Sequence, residues 1–522
     1  MLQPLRQNKA RRAVYQTRPI PAPVGGLNAQ DALSAMPITD ANTLTNFFPQ
    51  ATYCELRKGY AEHVTGAGGA TDPVETLMTY FRMNGVEELF AVSDNVIYDV
   101  TTAGSAVSSY STSITSSRWQ WQNFTNTAGT FLLAVNGQDD PLIYDGSAWS
   151  ANSITGSITS STKLINVFQY NERIFFCEKN TLDLWYLATQ AISGAAAKLP
   201  LGGVFNKGGS IVAGGTFSFD TGIGVDDYLV AITSNGEAAM YSGTNPASDF
   251  SLKGTFDIGR PVGYRPTVRV GGDLIVITTN GAVPMSAMIG NDRAKADKVA
   301  VTAKIQELFN AAVAQYGRNF GWEAVNYPSS RYLLINVPEL EGVRQSQFVM
   351  NLITGAWCSF TNMNGNTWAL LDDGIYFGGN NGTVYHADYG RQDDGEQIEW
   401  DVKTAFTPCG NPGGNKFFKA LRPFLLTSGT ASFLGGVNVD YDNVAPVGEI
   451  VATPGGVGVW SNPGSTWNNC NWGGVGILSR QWLTVGRIGT TVAARFTGAA
   501  SNISVQLNGF DLMFEYTTGT IY

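Results

Sequence analysis

His63 and His386 are the only imidazoles in this chain of 522 residues, and they are separated by most of its length. A nucleophile activated by a general base needs a partner that titrates near neutrality, and histidine supplies it most often. With so few histidines, and without GxSxG, HExxH or a Walker loop, the sequence offers no catalytic set for acyl or phosphoryl chemistry. His386 follows Tyr385 and reads as a hydrogen-bonded turn residue rather than a base.

Carboxylate pairs are the remaining route to hydrolysis, because glycoside cleavage needs two acids facing each other across a bond. Four doublets are available: Asp139-Asp140, Asp226-Asp227, Asp372-Asp373 and Asp393-Asp394. All lie in or near stretches that read as turns, where aspartate serves the backbone as a hydrogen-bond acceptor. The run DYGRQDDGEQIEW, Asp388 to Trp400, lacks the alternating oxygen ligands and the spaced terminal glutamate of a calcium loop. Five widely spaced cysteines, Cys54, Cys177, Cys358, Cys409 and Cys470, form no CxxC and read as buried, reduced thiols of a protein made in the cytosol. The glycines from Gly202 to Phe219 read as a loop without the strand-to-helix setting that cradles phosphate. No catalytic residue, cofactor site or metal site is therefore expected. Trp119, Trp121, Trp149, Trp460, Trp467, Trp472 and Trp482 read equally as sugar or interface platforms and as core.

The elements that hold these residues are strands. Glycine at 60 residues, aromatics at 11 % and charged residues at only 14 % describe an all-β, turn-rich chain. VEELFAVSDNVIYDVT (Val86 to Thr101), the hairpins around Asn136-Gly137, Asn171-Glu172, Asn235-Gly236 and Asn280-Gly281, and that around Asp373-Gly374 and Asn381-Gly382 repeat one unit. Each is an alternating strand, a turn whose central residues tolerate positive φ, and a second strand. Such repeats predict a β-propeller of about six blades, since an isolated four-stranded blade cannot bury both faces. An amphipathic helix is expected at 292–317, packed on the propeller rim or on a partner, and a C-terminal antiparallel β-sandwich or β-extension after Lys416. The expected division is an extended arm at 1–73, the propeller at 74–415 and the C-terminal β domain at 416–522.

The arm concentrates cations: Arg6, Lys9, Arg11, Arg12, Arg18, Arg57 and Lys58, punctuated by Pro19, Pro21 and Pro23. It reads either as a disordered terminus or as a strap that orders on a neighbouring subunit. The chain as a whole is acidic, at −9, which opposes wrapping nucleic acid but suits a wall past which a phosphate chain must slide. Neither a signal peptide nor a membrane span is expected.

Three stretches carry a resemblance: RPIPAPVGGLNAQDALSAMPITDANTLTNFFPQATYCELRKGY (Arg18 to Tyr60), VDDYLVAITSNGEAAMYSGTNPASDFSLKGTFDIGRPVG (Val225 to Gly263) and GGDLIVITTNGAVPMS (Gly271 to Ser286). Together they resemble tail nozzle or tail hub proteins of short-tailed bacteriophages, related in role to packaged-DNA stabilisation proteins. The resemblance implies a virion protein made in the host cytoplasm that forms a ring, a hexamer, below the portal and tail adaptor. The ring would contact tail fibre or tailspike proteins and pass double-stranded DNA without sequence-specific binding. Arg6, Arg11, Arg12, Arg18, Arg57 and Lys58 are the expected assembly contacts of the arm. The alternatives carried beside this expectation are a propeller glycan hydrolase or lyase, and a sugar-binding protein for host adsorption.

Overall fold

A computed structural model describes residues 15–220, 225–289, 299–447, 451–452 and 477–517. The chain divides into two compact units, Arg57–Glu396 and a second formed by the described residues of Met1–Leu56 and Gln397–Tyr522.

Arg57–Glu396 is a β-propeller, defined by its own strand pairing. Among the described residues, seven groups of consecutively paired antiparallel strands follow one another along the chain, one more than the six the hairpins suggested. Their first strands are Thr76–Phe81, Gln120–Asn126, Leu164–Tyr170, Ile211–Asp220, Thr267–Val270, Glu323–Tyr327 and Thr367–Leu371, here assigned to blades 1 to 7. Each first strand adjoins that of the next blade, and blade 7 adjoins blade 1, so the seven line a closed axis. The ring is fastened by Tyr60–Thr65, which pairs antiparallel with Val384–Ala387 as the fourth strand of blade 7. The blade that the hairpin pattern missed is blade 6, Glu323–Tyr327, Tyr332–Leu340, Arg344–Asn351 and Trp357–Phe360. Its turns, around Pro328–Arg331 and Glu341–Val343, contain no Asn-Gly pair.

The turns show how the sequence sets the hairpins. Asp94-Asn95, Asn171-Glu172 and Asp372-Asp373 have positive φ at both central residues, from 42° to 60°, the geometry that matches the twist of two-residue hairpins. The blade 7 turn thus lies one residue before the expected Asp373-Gly374. At Asn235-Gly236 and Asn280-Gly281 only the glycine is left-handed. Gly236 is also fixed by proximity, since a Cβ there would collide with the Gly259 backbone.

Between blades the core is apolar and layered. Phe168, Phe175, Tyr186 and Leu229 belong to one cluster joining blades 3 and 4, and Met78, Phe90, Trp119 and Trp149 to one joining blades 1 and 2. Among the described residues blade 5 has three strands. Beyond its edge strand Gly281–Pro284, Val301 N–H bonds Ala282 O and Thr302 Oγ1 accepts Ala282 N–H, where a fourth strand would pair. The α-helix that follows, Gln306–Tyr316, buries Phe309 and Ala312, with Phe309 edge-on to Trp322 at 6.0 Å. The helix therefore packs on the propeller, while Leu308 is exposed. The expected residues 292–298 of this element lie outside the described residues. The expected loop from Gly202 to Phe219 is instead mostly strand: from Ile211 it is the first strand of blade 4.

The second unit is a two-sheet β-sandwich. One sheet centres on Lys416–Thr427 and Val505–Tyr516, and the other on Ile398–Thr404, Val492–Ala500 and Ser432–Val439. Phe496 and Phe510 meet between them at 5.7 Å, as do Phe47 and Trp400 at 5.1 Å. Stretches of the segment expected to be an extended arm belong to these sheets. Gln16–Pro21 pairs with Val505–Tyr516, Cys54–Leu56 pairs with that same strand, and Asp40–Thr45 pairs with Ile398–Thr404. The expected boundaries at residues 73 and 415 are thus replaced by breaks after Leu56 and Glu396. The physical reason is that apolar positions such as Leu44, Phe47 and Leu56 are fully or almost fully buried, which a solvated arm cannot provide.

Candidate functional site: the axial cavity of the propeller

The seven first strands enclose a cavity of about 550 Å³, walled mainly by blades 2 to 6. Its lining is amide-rich, with Gln120, Gln122, Asn166 and Gln169 on the first strands of blades 2 and 3. Small residues on blade 4 keep the strands close. A Cβ at Gly214 would strike the Phe168 ring, and one at Gly215 would come within 2.8 Å of Leu274. Asn166 fixes this wall by accepting the Gly214 N–H at 3.1 Å.

At one end the axis is tied across by Arg265. Its guanidinium donates to Thr76 Oγ1 at 2.8 Å, Trp119 O at 2.8 Å and Thr367 Oγ1 at 3.2 Å, and lies 3.6 Å from Glu323. One buried side chain from blade 5 thereby joins blades 1, 2, 6 and 7. Burial raises the Glu323 carboxyl above its ordinary value, and Arg265 partly opposes the shift. Glu323 accepts Trp368 N–H at 3.0 Å, so this carboxylate is part of the tie. Tyr264, beside it, accepts the Gln120 amide on its carbonyl and donates through its hydroxyl to Asn136 O.

At the other end stand exposed Asp227 and Arg269, the former accepting Ser218 Oγ at 2.6 Å. Asp227 and Glu323 are the two carboxylates on the wall among the described residues. Ser218 bonds to Gly272, beyond Arg269, and Arg269 is level with Asn326, three residues past Glu323. At roughly 3.3 Å per strand residue, the backbone levels of the two acids differ by about 10 Å along the strands.

The residues singled out from sequence fall as follows. Asp139 is buried and accepts Thr115 N–H, Ser116 N–H and the Asn136 amide, a turn-fixing role. Asp227 is on a strand rather than in a turn. Asp393 is buried with Arg57, whose two terminal nitrogens bond its two oxygens at 2.7 and 2.6 Å. Asp388 accepts Lys58 Nζ and Ser330 Oγ. Asp388 and Asp393, two of the five carboxylates of the calcium-like run, are thus engaged by cations or hydroxyls, and no metal-ligating cluster occurs among the described residues. His386 is on a strand, not in a turn, with its ring stacked between Tyr376 at 4.5 Å and Tyr389 at 4.8 Å. His63, on the neighbouring strand, also meets Tyr376, a pairing that sequence distance concealed. Burial, followed by the charge of His63, holds the His386 pKa below its ordinary value.

Of the expected assembly residues, Arg57 is consumed by Asp393, Thr361 O and Lys58 O within the propeller, so it is not a surface contact. Lys58 is exposed and paired with Asp388. Arg18 is exposed on the edge strand Gln16–Pro21, whereas Arg6, Arg11 and Arg12 lie outside the described residues. Cys54, Cys177, Cys358 and Cys409 are buried thiols, and burial raises Cys409 to about 11. Trp119 and Trp149 are core, Trp121 lines the cavity and Trp482 lies beneath Arg422; Trp460, Trp467, Trp472 and Cys470 are outside the described residues.

No family model and no curated protein matches the chain. Among solved structures it is similar to BBS1N, crystallised in complex with ARL6DN, at 10% identity and a TM-score of 0.39, covering 65% of this chain and 99% of that one. It is also similar to Raptor of Chaetomium thermophilum, at 11% identity and a TM-score of 0.39, covering 63% of this chain and 29% of that one. No helix among the described residues is long and apolar enough to cross a membrane.

Proposed function

We propose that this chain is a structural subunit of a short-tailed bacteriophage virion, forming a ring-shaped tail nozzle or hub that continues the DNA channel below the portal and adaptor. The observation that carries the reading is the partition of charge. Arg57–Glu396 holds 21 Lys and Arg against 32 Asp and Glu, a net −11, while the rest holds 12 against 10, a net +2, together the chain's −9. A propeller so acidic repels a passing phosphate chain, while the complementary charge elsewhere in the sequence serves subunit contacts. Tail adaptor, fibre or tailspike proteins and a sixfold ring are the partners this role requires.

Light scattering of the purified protein, alone and mixed with tail adaptor, backed by low-resolution electron microscopy, tests the proposal. The expected result is a closed ring with a channel near duplex width, formed alone or on the adaptor. A persistent 56.0 kDa monomer that ignores the adaptor would overturn it. A second reading, adsorption to a host glycan, is favoured by the amide-lined cavity with Trp121 at its wall, and predicts saccharide binding by the monomer.

A further inference from the structure

The two edges of the propeller differ. Turns joining first to second strands, and third to fourth strands, emerge on one face, and on blades 6, 7 and 1 this face exposes apolar side chains. Met83 is 76% exposed at the tip of the first hairpin of blade 1, flanked by exposed Phe81 and Val86. Ile353, 66% exposed, stands on the last turn of blade 6, and Tyr389 follows the third strand of blade 7. The three blades are joined there, since Asp372 N–H donates to Glu87 Oε2 at 2.8 Å and Ser330 Oγ to Asp388 at 2.5 Å. The arc is therefore continuous.

Its charge is acidic. Asp372 and Asp373 are exposed at the blade 7 turn beside Glu87, whereas Arg82 is spent on Glu88 and Lys58 on Asp388, leaving Arg331 and Arg391 as nearby cations against these three carboxylates. Exposed apolar side chains interleaved with carboxylates call for an occupant that is both apolar and basic. The N-terminal segment of the chain is such an occupant. Met1 to Tyr15 carries Leu2, Leu5 and Val14 with Arg6, Lys9, Arg11 and Arg12, and no acid occurs before Asp31. Fourteen residues can span up to about 46–50 Å, enough to reach a neighbouring subunit.

We propose that the arc formed by Phe81, Met83, Val86, Glu87, Asp372, Asp373, Ile353 and Tyr389 receives the basic N-terminal segment of a second copy of this chain. The contact is heterologous, the same arm meeting the same face around the assembly, which is the type that closes into rings. This inference rests on the ring-forming reading above and supplies its subunit contact.

The test compares assembled mass for the full chain, for R6E/R11E/R12E, for E87K/D372N/D373N, for M83D and for the two charge variants combined in one chain. Each of the three separate variants is expected to lower the assembled fraction at least about tenfold, and raising salt to about 0.5 M to weaken the full chain likewise. The combined charge variant should recover much of the loss, which misfolding of either variant would not allow. In a mixture of isotopically light and heavy chains, a lysine cross-linker should join Lys9 to Lys58 in mixed-label peptides. Unmixed labels alone would mean docking within one copy and overturn the proposal. Full assembly by the arm variant would overturn it too, while leaving the ring reading intact. A full chain that is monomeric at every salt would remove the ring reading itself.

Discussion

At the residue scale, the Arg57–Asp393 pair illustrates how a motif residue can be read correctly as charged and wrongly as available. Both side chains are almost completely buried, and the guanidinium meets both carboxylate oxygens, so the pair exchanges hydration for mutual contact. Removing one partner leaves a buried charge without its complement. R57A is expected to destabilise the propeller by about 3–5 kcal/mol, read by urea unfolding, and the paired replacement R57M/D393L to recover most of that loss. His386 makes a second residue-level prediction. Stacked between two tyrosines, with His63, Asp388 and Lys58 acting on it, it has a folded pKa below the ordinary 6.5. The unfolded chain then binds more protons as pH falls below about 6.5, so stability present above that value is lost through the folded pKa. Melting temperature should fall between pH 7.5 and 5.5 in the full chain, and H386F should flatten the decline. A slope unchanged in H386F would assign it to other groups.

At the element scale, the hairpins were legible because turn chemistry is local. Asp94-Asn95 and Asn171-Glu172 do adopt the two left-handed conformations that the strand-turn-strand pattern implies. Blade 6 was illegible for the same reason: its turns use Pro328, Ser329, Ser330 and Gly342 without the Asn-Gly signature. Among the described residues blade 5 shows three strands, and its edge is met by Val301 and Thr302, arriving before the helix Gln306–Tyr316. Glu172 carries the cost of the local rule, since a side chain at φ 57° is crowded by its own backbone. Its carboxylate accepts the Gln190 amide at 3.2 Å in an exposed setting, a contact worth little. E172G is therefore expected to raise stability by roughly 0.5–1 kcal/mol, measured as a shift in urea midpoint. A loss of stability would show that the Gln190 contact outweighs the backbone strain.

At the scale of the whole molecule, the long-range pairings are what sequence reading did not reach. Nothing in YAEHVT, Tyr60–Thr65, announces that it will pair with Val384–Ala387, more than three hundred residues later, because a strand's partner is set by tertiary closure and not by its own pattern. The Pro-rich stretch near residue 20 conceals its role similarly. Pro19 and Pro21 cannot donate to a ladder, yet Gln16–Pro21 occupies a sheet edge, where proline also blocks further strands from pairing. The axial cavity was equally hidden, since Gln120, Asn166, Arg265 and Glu323 are brought together by ring closure from four different blades. Two truncations separate a solvated arm from structural strands. Removing residues 1–14 is expected to leave the melting transition within about 2 °C of the full chain, because every described strand keeps its partner. Removing residues 1–73 deletes the closing strand of blade 7 and strands from both sheets of the sandwich, including buried Leu44, Phe47 and Leu56. That protein is expected to lose its cooperative transition and to be cleaved rapidly by trypsin under native conditions. A cooperative, protease-resistant product would mean that blade 7 closes with three strands, and would restore the segment to the status of an appended arm.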